Sequence, residues 1–421
     1  MPTAYIDMHL HSRFSRACSK SITLETLEKT AIQKGLNIIS ISDFTHPIWF
    51  REVKSNLKEI DETGLYHYKS NNIYFLLTTE ISLIYNQDGK TRKIHYLILA
   101  PNMEIVEQIT TWLKTKGRVD YDGRPIFGFT TPELVENMMS ISKNIMIIPS
   151  HCMTPWFGIF GSKSGFNSVK ECFKDQTKNI FALETGLSAD PLMLWRISSL
   201  DNYTLVSNSD SHSANTIRLG RELNVMEMKE FSYKNIFEII KNKDKNRFLF
   251  TIEVNPSLGK YHWDGHRNCD VCLSPKESIK YHNICPVCGR PLTIGVEHRV
   301  EELADRENDF IPENAIPFKT LLPLSELIAY VYNTQAFSKK VWTESTKLIK
   351  EFGSELNVLL DADKEKMKLL INEKLVDLIL KNREGKLNVQ PGYDGVYGKI
   401  ILSGNISIKQ PQKRIDSYIN K

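Results

Sequence analysis

The sequence predicts an α/β protein with a distorted (βα)7 barrel, followed by a small four-cysteine domain and a C-terminal helical region. Three observations predict this class. Short apolar runs alternate with helical patterns over residues 1 to about 250, as in a parallel sheet or barrel. Four cysteines cluster between residues 269 and 288, and apolar residues recur at helical spacing beyond residue 311, best over 363–381. The predicted divisions are 1–255, 256–310, 311–408 and a tail, 409–421.

Composition excludes several classes of protein. The chain has 421 residues, of which 41% are hydrophobic and 25% charged, so a disordered, collagen-like or membrane-spanning chain is not expected. Lys and Arg number 54 against 50 Asp and Glu, for a net charge of +4, which permits a nucleic-acid partner without requiring one. No apolar run reaches the length of about 18 residues that would span a membrane. We therefore expect a cytoplasmic protein.

Seven apolar runs are the predicted strands of the barrel. They cover residues 4–10, 38–41, 73–77, 95–99, 145–148, 180–183 and 203–206. Between the first two, Thr23 is expected to cap a helix with Leu24, Leu27 and Ala31 on its apolar face, and Gly35 to end it.

Histidines and carboxylates accompany these strands and predict a metal centre. Asp7, His9 and His11 alternate along the first run, so their side chains should project to one side. Further members lie at or near the ends of the other runs: Asp43, His46, Glu80, His95, His151, Glu184, Asp210 and His212. The ends of parallel barrel strands converge on one face, so these groups should meet. The alternative is a strand with surface histidines, but so many buried polar groups would need compensation, and mixed imidazole and carboxylate ligands suit zinc or manganese.

The cysteine cluster predicts a structural zinc site. Cys269 and Cys272 form one Cys-x-x-Cys pair, 12 residues follow, and Cys285 and Cys288 form a second pair. Two such pairs can place four thiolates around one zinc ion, whereas a redox dithiol would need only one pair.

Aromatic and basic residues near both motifs indicate a possible DNA surface. Lys260, Tyr261, His262 and Arg267 precede the cysteines and combine cations with rings that can stack on unpaired bases. The alternative is a solvated loop. After His151, the residues Trp156 and Phe157 belong either to a buried lid or to the wall of a pocket for an extruded base.

The histidine and carboxylate motifs resemble the PHP family, named for polymerase and histidinol phosphatase. The resemblance implies a distorted seven-stranded barrel with two or three divalent metals: zinc, manganese or magnesium. It assigns His9, His11, Glu80 and Asp210 to one metal, Glu80, His95 and His151 to a second, and His46 and His212 to a third. Asp43, Glu184 and Asp210 are the expected catalytic carboxylates, the first two orienting either a water or the ligating histidines. The chain departs from the family pattern by separating Asp43 from His46 by two residues.

The combination of motifs resembles one branch of that family, endonuclease Q. The matching segments are 42–47, 150–157, 209–212, 259–262, 295–306 and 391–398. The resemblance implies a DNA repair enzyme that hydrolyses the strand 5′ to uracil, hypoxanthine, xanthine or an abasic site. The alternatives are a small-molecule phosphoesterase of the histidinol-phosphatase type and a non-enzymatic DNA-binding factor. Against the first, the chain carries about 160 residues beyond the barrel that a small substrate would not require.

The last residues resemble a peptide that binds the sliding clamp, PCNA. Gln412, Ile415, Tyr418 and Ile419 follow the spacing of that motif, whose apolar residues enter a groove together as a short helical turn. The alternative is an ordinary polar tail.

Overall fold

The computed structural model describes residues 1–69 and 72–401. Its strands are β1 Thr3–Asp7, β2 Ile38–Ser40, β3 Lys58–Glu59, β4 Leu65–His67, β5 Tyr74–Leu76, β6 Thr78–Gln87, β7 Lys90–Leu99, β8 Ile126–Phe127, β9 Met146–Pro149, β10 Ala182–Glu184, β11 Thr204–Val206, β12 Leu223–Glu227, β13 Phe248–Glu253, β14 Asp264–His266, β15 Val271–Leu273, β16 Phe318–Thr320, β17 Asn388–Gln390 and β18 Lys399–Ile401.

The helices alternate with the strands in the first part and dominate the last. They are α1 Leu24–Lys34, α2 Pro47–Asn56, α3 Met103–Lys116, α4 Thr131–Ile141, α5 Val169–Phe173, α6 Pro191–Leu194, α7 Tyr233–Lys241, α8 Pro275–Lys280, α9 Val296–Leu303, α10 Leu324–Val331, α11 Lys339–Phe352, α12 Glu355–Leu360, α13 Lys364–Leu370 and α14 Glu373–Arg383.

The predicted α/β class is confirmed, but the strands divide among separate hydrogen-bonded sheets. A strand lies within or overlaps each of the seven predicted runs. An eight-stranded sheet has the order β16-β13-β12-β1-β2-β5-β4-β3, a four-stranded sheet has the order β8-β6-β7-β9, and β10 pairs with β11. Both large sheets contain antiparallel pairs, such as β1 with β12 and β6 with β7. The hydrogen bonds of the described residues therefore do not form a single ring of seven parallel strands. Closure of the sheets into a barrel stays a prediction.

The long β6–β7 hairpin was not predicted from the sequence. Its two strands pair over ten residues each, and its turn contains Asp88 at φ 52° and Gly89 at φ 72°. An Asp-Gly pair with positive φ at both positions is a typical two-residue hairpin turn. Sequence reasoning missed this signal and treated Glu80 as lying beyond a strand, whereas it lies inside β6.

Local signals at the helices are largely as predicted. Thr23 caps α1 by accepting a hydrogen bond from the Thr26 amide, and Gly35 ends the helix at φ 95°. The pattern over 363–381 is two helices rather than one, because the Asn372 side chain accepts from the Leu375 amide and starts α14.

The C-terminal helices α10 to α14 pack around their own apolar core. Leu327, Ile328, Leu348 and Ile379 lie in this core and are fully buried. Just before these helices, β16 pairs in parallel with β13 and so extends the eight-stranded sheet. The segment that contains Gln412, Ile415, Tyr418 and Ile419 lies outside the described residues. Within the described part, every helix is too short or too polar to cross a bilayer.

Candidate metal centre

Five strands, β1, β6, β7, β9 and β11, bring the predicted ligands together. His9 and His11 follow β1, where Leu10 forms a parallel bridge with Ser211 and so places Asp210 beside them. His95 lies in β7, which runs antiparallel to β9 with Tyr96 opposite Pro149. His151 follows β9 and therefore comes back to His95, although His95 is not at the carboxyl end of its strand.

The first ligand group contains His9, His11, Glu80 and Asp210. His11 Nε2 lies 3.1 Å from Asp210 Oδ1 and 3.4 Å from Glu80 Oε2. His9 Nε2 lies 3.6 Å from Glu80 Oε1 and 3.8 Å from Asp210 Oδ1. These four side chains converge as the sequence predicted.

The second group shares Glu80 and adds two histidines. Glu80 Oε1 lies 3.2 Å from His95 Nδ1 and 3.3 Å from His151 Nε2, and those two nitrogens are 3.2 Å apart. One carboxylate thus faces both groups, so Glu80 could contribute an oxygen ligand to a metal held by either group.

The residues predicted for a third metal, His46 and His212, have different neighbours, and the third site stays a prediction. His212 groups with His11 and Asp210, whereas His46 joins none of the ligand groups among the described residues. The His46 ring instead stacks on Phe14 with the centroids 4.2 Å apart, and its Nδ1 atom is buried without a hydrogen-bond partner. Burial lowers the pKa of His46.

Buried carboxylates and a hydroxyl hold the far side of the ligating rings. Glu184 Oε1 lies 2.9 Å from His9 Nδ1, and Asp43 Oδ1 lies 3.3 Å from His11 Nδ1. His151 Nδ1 is 2.8 Å from Thr154 Oγ1. These contacts orient the ligands and select the ring nitrogen that faces the centre. Glu184 and Asp43 therefore touch ligands rather than occupy the ligand positions themselves.

Asp7 does not join the groups in which its sequence neighbours lie. Its carboxylate accepts hydrogen bonds from the backbone amides of Ser209 at 3.1 Å and Gly220 at 2.9 Å. Burial raises the pKa of Asp7 to about 6. The residue thus holds the loop that carries Asp210.

The backbone of the centre is strained at three functional residues. His151, Asp210 and Asp43 have φ values of 33°, 46° and 49°, which cost of order 1–3 kcal/mol each and occur where the surrounding structure enforces them. Gly186 packs against His151 and Gly123 against Asp43, so closely that a Cβ at either position would overlap these side chains.

The electrostatics of the donor set fit divalent metal ions. His9 Nε2 is buried and has no hydrogen-bond partner among the described residues. Burial lowers the pKa of His9, but attraction to Glu184 and Glu80 outweighs it and raises the pKa well above its ordinary value. For Glu80, burial acts to raise the pKa of the carboxyl. The positive charges of His95, Arg124 and His9 outweigh burial and hold this pKa well below its usual range. Positive charge near the oxygens of Glu80 therefore stabilises this buried carboxylate, and a divalent metal ion bound there would provide such charge.

Arg124 is a part of the centre that sequence reasoning missed. Its Nη1 donates to Glu80 Oε2 at 2.9 Å, and its side chain is 24% exposed. It lies in an irregular loop before β8, and no pattern around it indicates chemistry. Asn208, which donates to Glu184 Oε1 at 2.8 Å, was missed for the same reason.

The cysteine module forms a possible metal site with an unexpected member. Cys269, Cys285 and Cys288 group with His266, and Cys288 Sγ lies 3.6 Å from His266 Nδ1. Cys272 is outside this group. In the β14–β15 hairpin, Cys272 lies opposite Gly265 and so shares its face of the hairpin. His266 is the next residue after Gly265 along β14, and neighbours along a strand face opposite sides. The side chains of Cys272 and His266 therefore lie on opposite faces.

The predicted DNA-binding residues have different surroundings. Trp156 is 50% exposed, but Phe157 stacks on the His95 ring with the centroids 4.2 Å apart. Lys260 and Arg267 are exposed. His262 is buried, with Nε2 3.2 Å from both Ser257 Oγ and Glu297 Oε2, and so supports the module from inside.

Near Lys260, the structure adds a ring that sequence reasoning did not assign. Lys260 Nζ lies 5.6 Å from the centre of the Tyr261 ring and 5.9 Å from that of Tyr397. Tyr397 is 67% exposed and comes from the loop between β17 and β18. A cation between two rings forms one polar and aromatic surface from distant parts of the chain.

An α/β fold with carboxylates and imidazoles grouped around a shared glutamate is typical of hydrolases that bind divalent metal ions. Comparison with known proteins narrows this class. The chain is 31% identical to the lesion-specific endonuclease PfuEndoQ from Pyrococcus furiosus, with a TM-score of 0.85 over 96% of this chain and 98% of that one. It is 32% identical to endonuclease Q in complex with a 27-mer duplex carrying an abasic lesion, with a TM-score of 0.84 over 96% and 97%. The chain belongs to the endonuclease Q family of hydrolytic endonucleases.

Sequence relatives agree with this membership. Residues 323–386, which contain α10 to α14, match the model of the MJ0043 C-terminal domain. The chain is 35% identical over 252 residues to uncharacterized protein MJ0043 from Methanocaldococcus jannaschii, covering 59% of this chain but only 31% of that protein. It is 27% identical to YqxK from Bacillus subtilis over 95% of this chain and all of that protein.

Proposed function

We propose that this chain is a metal-dependent DNA repair endonuclease that hydrolyses the phosphodiester 5′ to uracil, hypoxanthine, xanthine or an abasic site. The observation that carries the proposal is the position of Glu80 between two groups of ligands, with oxygen-to-nitrogen distances of 3.2 to 3.6 Å. The substrate class is supported by the likeness, over nearly the whole chain, to endonuclease Q in complex with an abasic duplex.

Two groups of residues would hold the metals: His9, His11, Glu80 and Asp210 in one, and Glu80, His95 and His151 in the other. When bound by these residues, divalent cations would supply an activated water and charge stabilisation for phosphodiester hydrolysis. Zinc, manganese and magnesium are the candidates, and we propose a further zinc in the cysteine module.

The surrounding residues of the chain prepare this site. Glu184 and Asp43 keep the Nδ1 atoms of His9 and His11 engaged, so that their Nε2 atoms face the centre. Arg124 holds a permanent positive charge beside Glu80, where it stabilises charge that develops on the phosphodiester oxygens. Outside the centre, we propose that Lys260, Tyr261, Arg267 and the exposed Trp156 contact the DNA strand.

The proposed function is tested by incision of a panel of duplexes under metal titration. The duplexes carry uracil, hypoxanthine, xanthine or an abasic site at one position, and an undamaged duplex is the reference. We expect a nick 5′ to each lesion, with a 3′-hydroxyl and a 5′-phosphate, that requires added metal and is lost in His9→Ala. His67→Ala is the matched control, since His67 bonds to the Ile73 carbonyl away from the centre. Equal cutting of undamaged DNA would contradict lesion specificity.

We also propose that the terminal segment binds a sliding clamp of the PCNA type. The support is the sequence pattern of Gln412, Ile415, Tyr418 and Ile419 alone. A peptide of residues 409–421 should bind the clamp, and its Tyr418→Ala form should not. Equal binding of both peptides would contradict the motif.

A further inference from the structure

A cavity beside the metal centre includes a residue from the C-terminal helices. Its volume is about 610 Å³, within the range of small-molecule sites. Its lining includes Asp210 and His212 from the metal centre, Arg218 and Arg221, and Phe337 from the connection between α10 and α11. We call this the Phe337 cavity. It joins segments more than 100 residues apart in the sequence.

Phe337 is exposed although its backbone is well held. Its side chain is 67% exposed, which is unfavourable for a ring of this size without a partner. It lies in the connection between α10 and α11, where the Ser338 amide donates to the Gln335 carbonyl at 2.9 Å. Ser338 then caps α11 by accepting from the Val341 amide. The ring is therefore presented from a short, hydrogen-bonded loop.

Two arginines in the lining of the cavity carry positive charge. Arg221 donates from Nε and Nη2 to the Ser209 carbonyl at 3.0 and 2.9 Å, which fixes its guanidinium. Burial and then the charge of Arg218 lower the pKa of Arg221, while the carboxylates of Glu222, Asp210 and Glu326 act in the opposite direction. Arg218 is exposed. A phosphate beside the exposed Arg218 would accept charge-assisted hydrogen bonds from its guanidinium.

We propose that the Phe337 cavity binds one unstacked nucleotide of the DNA strand next to the scissile phosphodiester, with Phe337 stacked on its base and Arg218 on its phosphate. This inference deepens the proposed function and rests on it. An aromatic ring without hydrogen-bonding groups stacks on any base. The cavity would therefore recognise an unstacked base rather than its identity, and the C-terminal helices would complete the substrate site.

The test compares Phe337→Ala and Phe337→Trp with the wild type. We expect Phe337→Ala to raise KM for lesion duplex about tenfold with little change in kcat, because it removes one stacking contact. Phe337→Trp should restore the wild-type KM. A 2-aminopurine base next to the lesion reports on unstacking, and its fluorescence change on binding should be lost in Phe337→Ala. Leu369→Ala is the control, since Leu369 is 85% exposed on the same helices and does not line the cavity.

A salt series separates the phosphate contact from the stacking contact. Arg218→Ala should lower the slope of log affinity against log salt by about one, while Phe337→Ala leaves the slope unchanged. Wild-type KM and fluorescence in Phe337→Ala, or a wild-type slope in Arg218→Ala, would overturn the proposal. If the wild type binds these duplexes with the Phe337-dependent signal but does not incise them, the cavity assignment stands and the proposed function fails.

Discussion

At the scale of residues, Glu80 lies at the centre of the candidate metal site. Its carboxylate is fully buried and faces four imidazoles and one guanidinium. Isolated burial of such a charge would be costly, so the site depends on positive charge brought to it. Glu184 and Asp43 lie behind the first ring of side chains. They contact the Nδ1 atoms of His9 and His11 and so fix the orientation of these two imidazoles.

The orienting role of Glu184 leads to a prediction. Glu184→Gln should weaken the apparent metal affinity about 10- to 100-fold, because the amide cannot keep the same pair of contacts to His9 and the His151 amide. Incision should therefore fall at low metal concentration and recover at high concentration. Metal titration of the incision rate measures this. Glu104→Gln on the exposed face of α3 is the matched control. A loss that saturating metal does not repair would instead indicate direct participation in the reaction.

At the scale of elements, strand direction decides which residues meet. His95 reaches His151 only because β7 and β9 are antiparallel, which places the start of one predicted strand beside the end of the other. Likewise, the β14–β15 hairpin directs His266 toward three cysteines and turns Cys272 away. The spacing of residues in the sequence does not show which face of a hairpin each side chain lies on.

The hairpin geometry leads to a second prediction. His266→Ala and Cys269→Ala should each lose one zinc per chain, whereas Cys272→Ala should retain it, because only the first two side chains join the ligand group. Metal analysis of the purified variants distinguishes them. Loss of zinc in Cys272→Ala with retention in His266→Ala would instead establish the four-cysteine site that the sequence predicts.

At the scale of the whole molecule, a buried ion pair joins the first part to the C-terminal helices. Lys34 Nζ of α1 lies 2.8 Å from Glu355 Oε1 of α12, and both side chains are 1% exposed. Lys34 also donates to the Thr216 carbonyl, and Glu355 accepts from the Leu324 amide. The contact fixes the helices that present Phe337 and therefore links stability to the proposed nucleotide site.

Breaking this pair should destabilise the protein strongly. Lys34→Met leaves an unpaired buried carboxylate and should cost about 3–5 kcal/mol of unfolding free energy. The double variant with Glu355→Gln should recover part of the loss, because glutamine keeps the acceptor for Leu324. Thermal and urea unfolding midpoints measure both, and Lys29→Met on the exposed face of α1 is the control. Equal midpoints for Lys34→Met and the wild type would show that the pair contributes nothing.

The sequence by itself determined the α/β class, the positions of seven strands and the residues that converge on the candidate metal centre, because apolar periodicity and chemically costly residue types are visible along the chain. Only the tertiary structure decided that Arg124 faces Glu80, that His46 stacks on Phe14 and joins no ligand group of the described residues, and that His266 rather than Cys272 meets the other three cysteines. It also decided that Phe337 reaches the cavity beside Asp210. These contacts depend on strand direction, side-chain facing and the packing of distant segments, and none of those leaves a local pattern in the sequence.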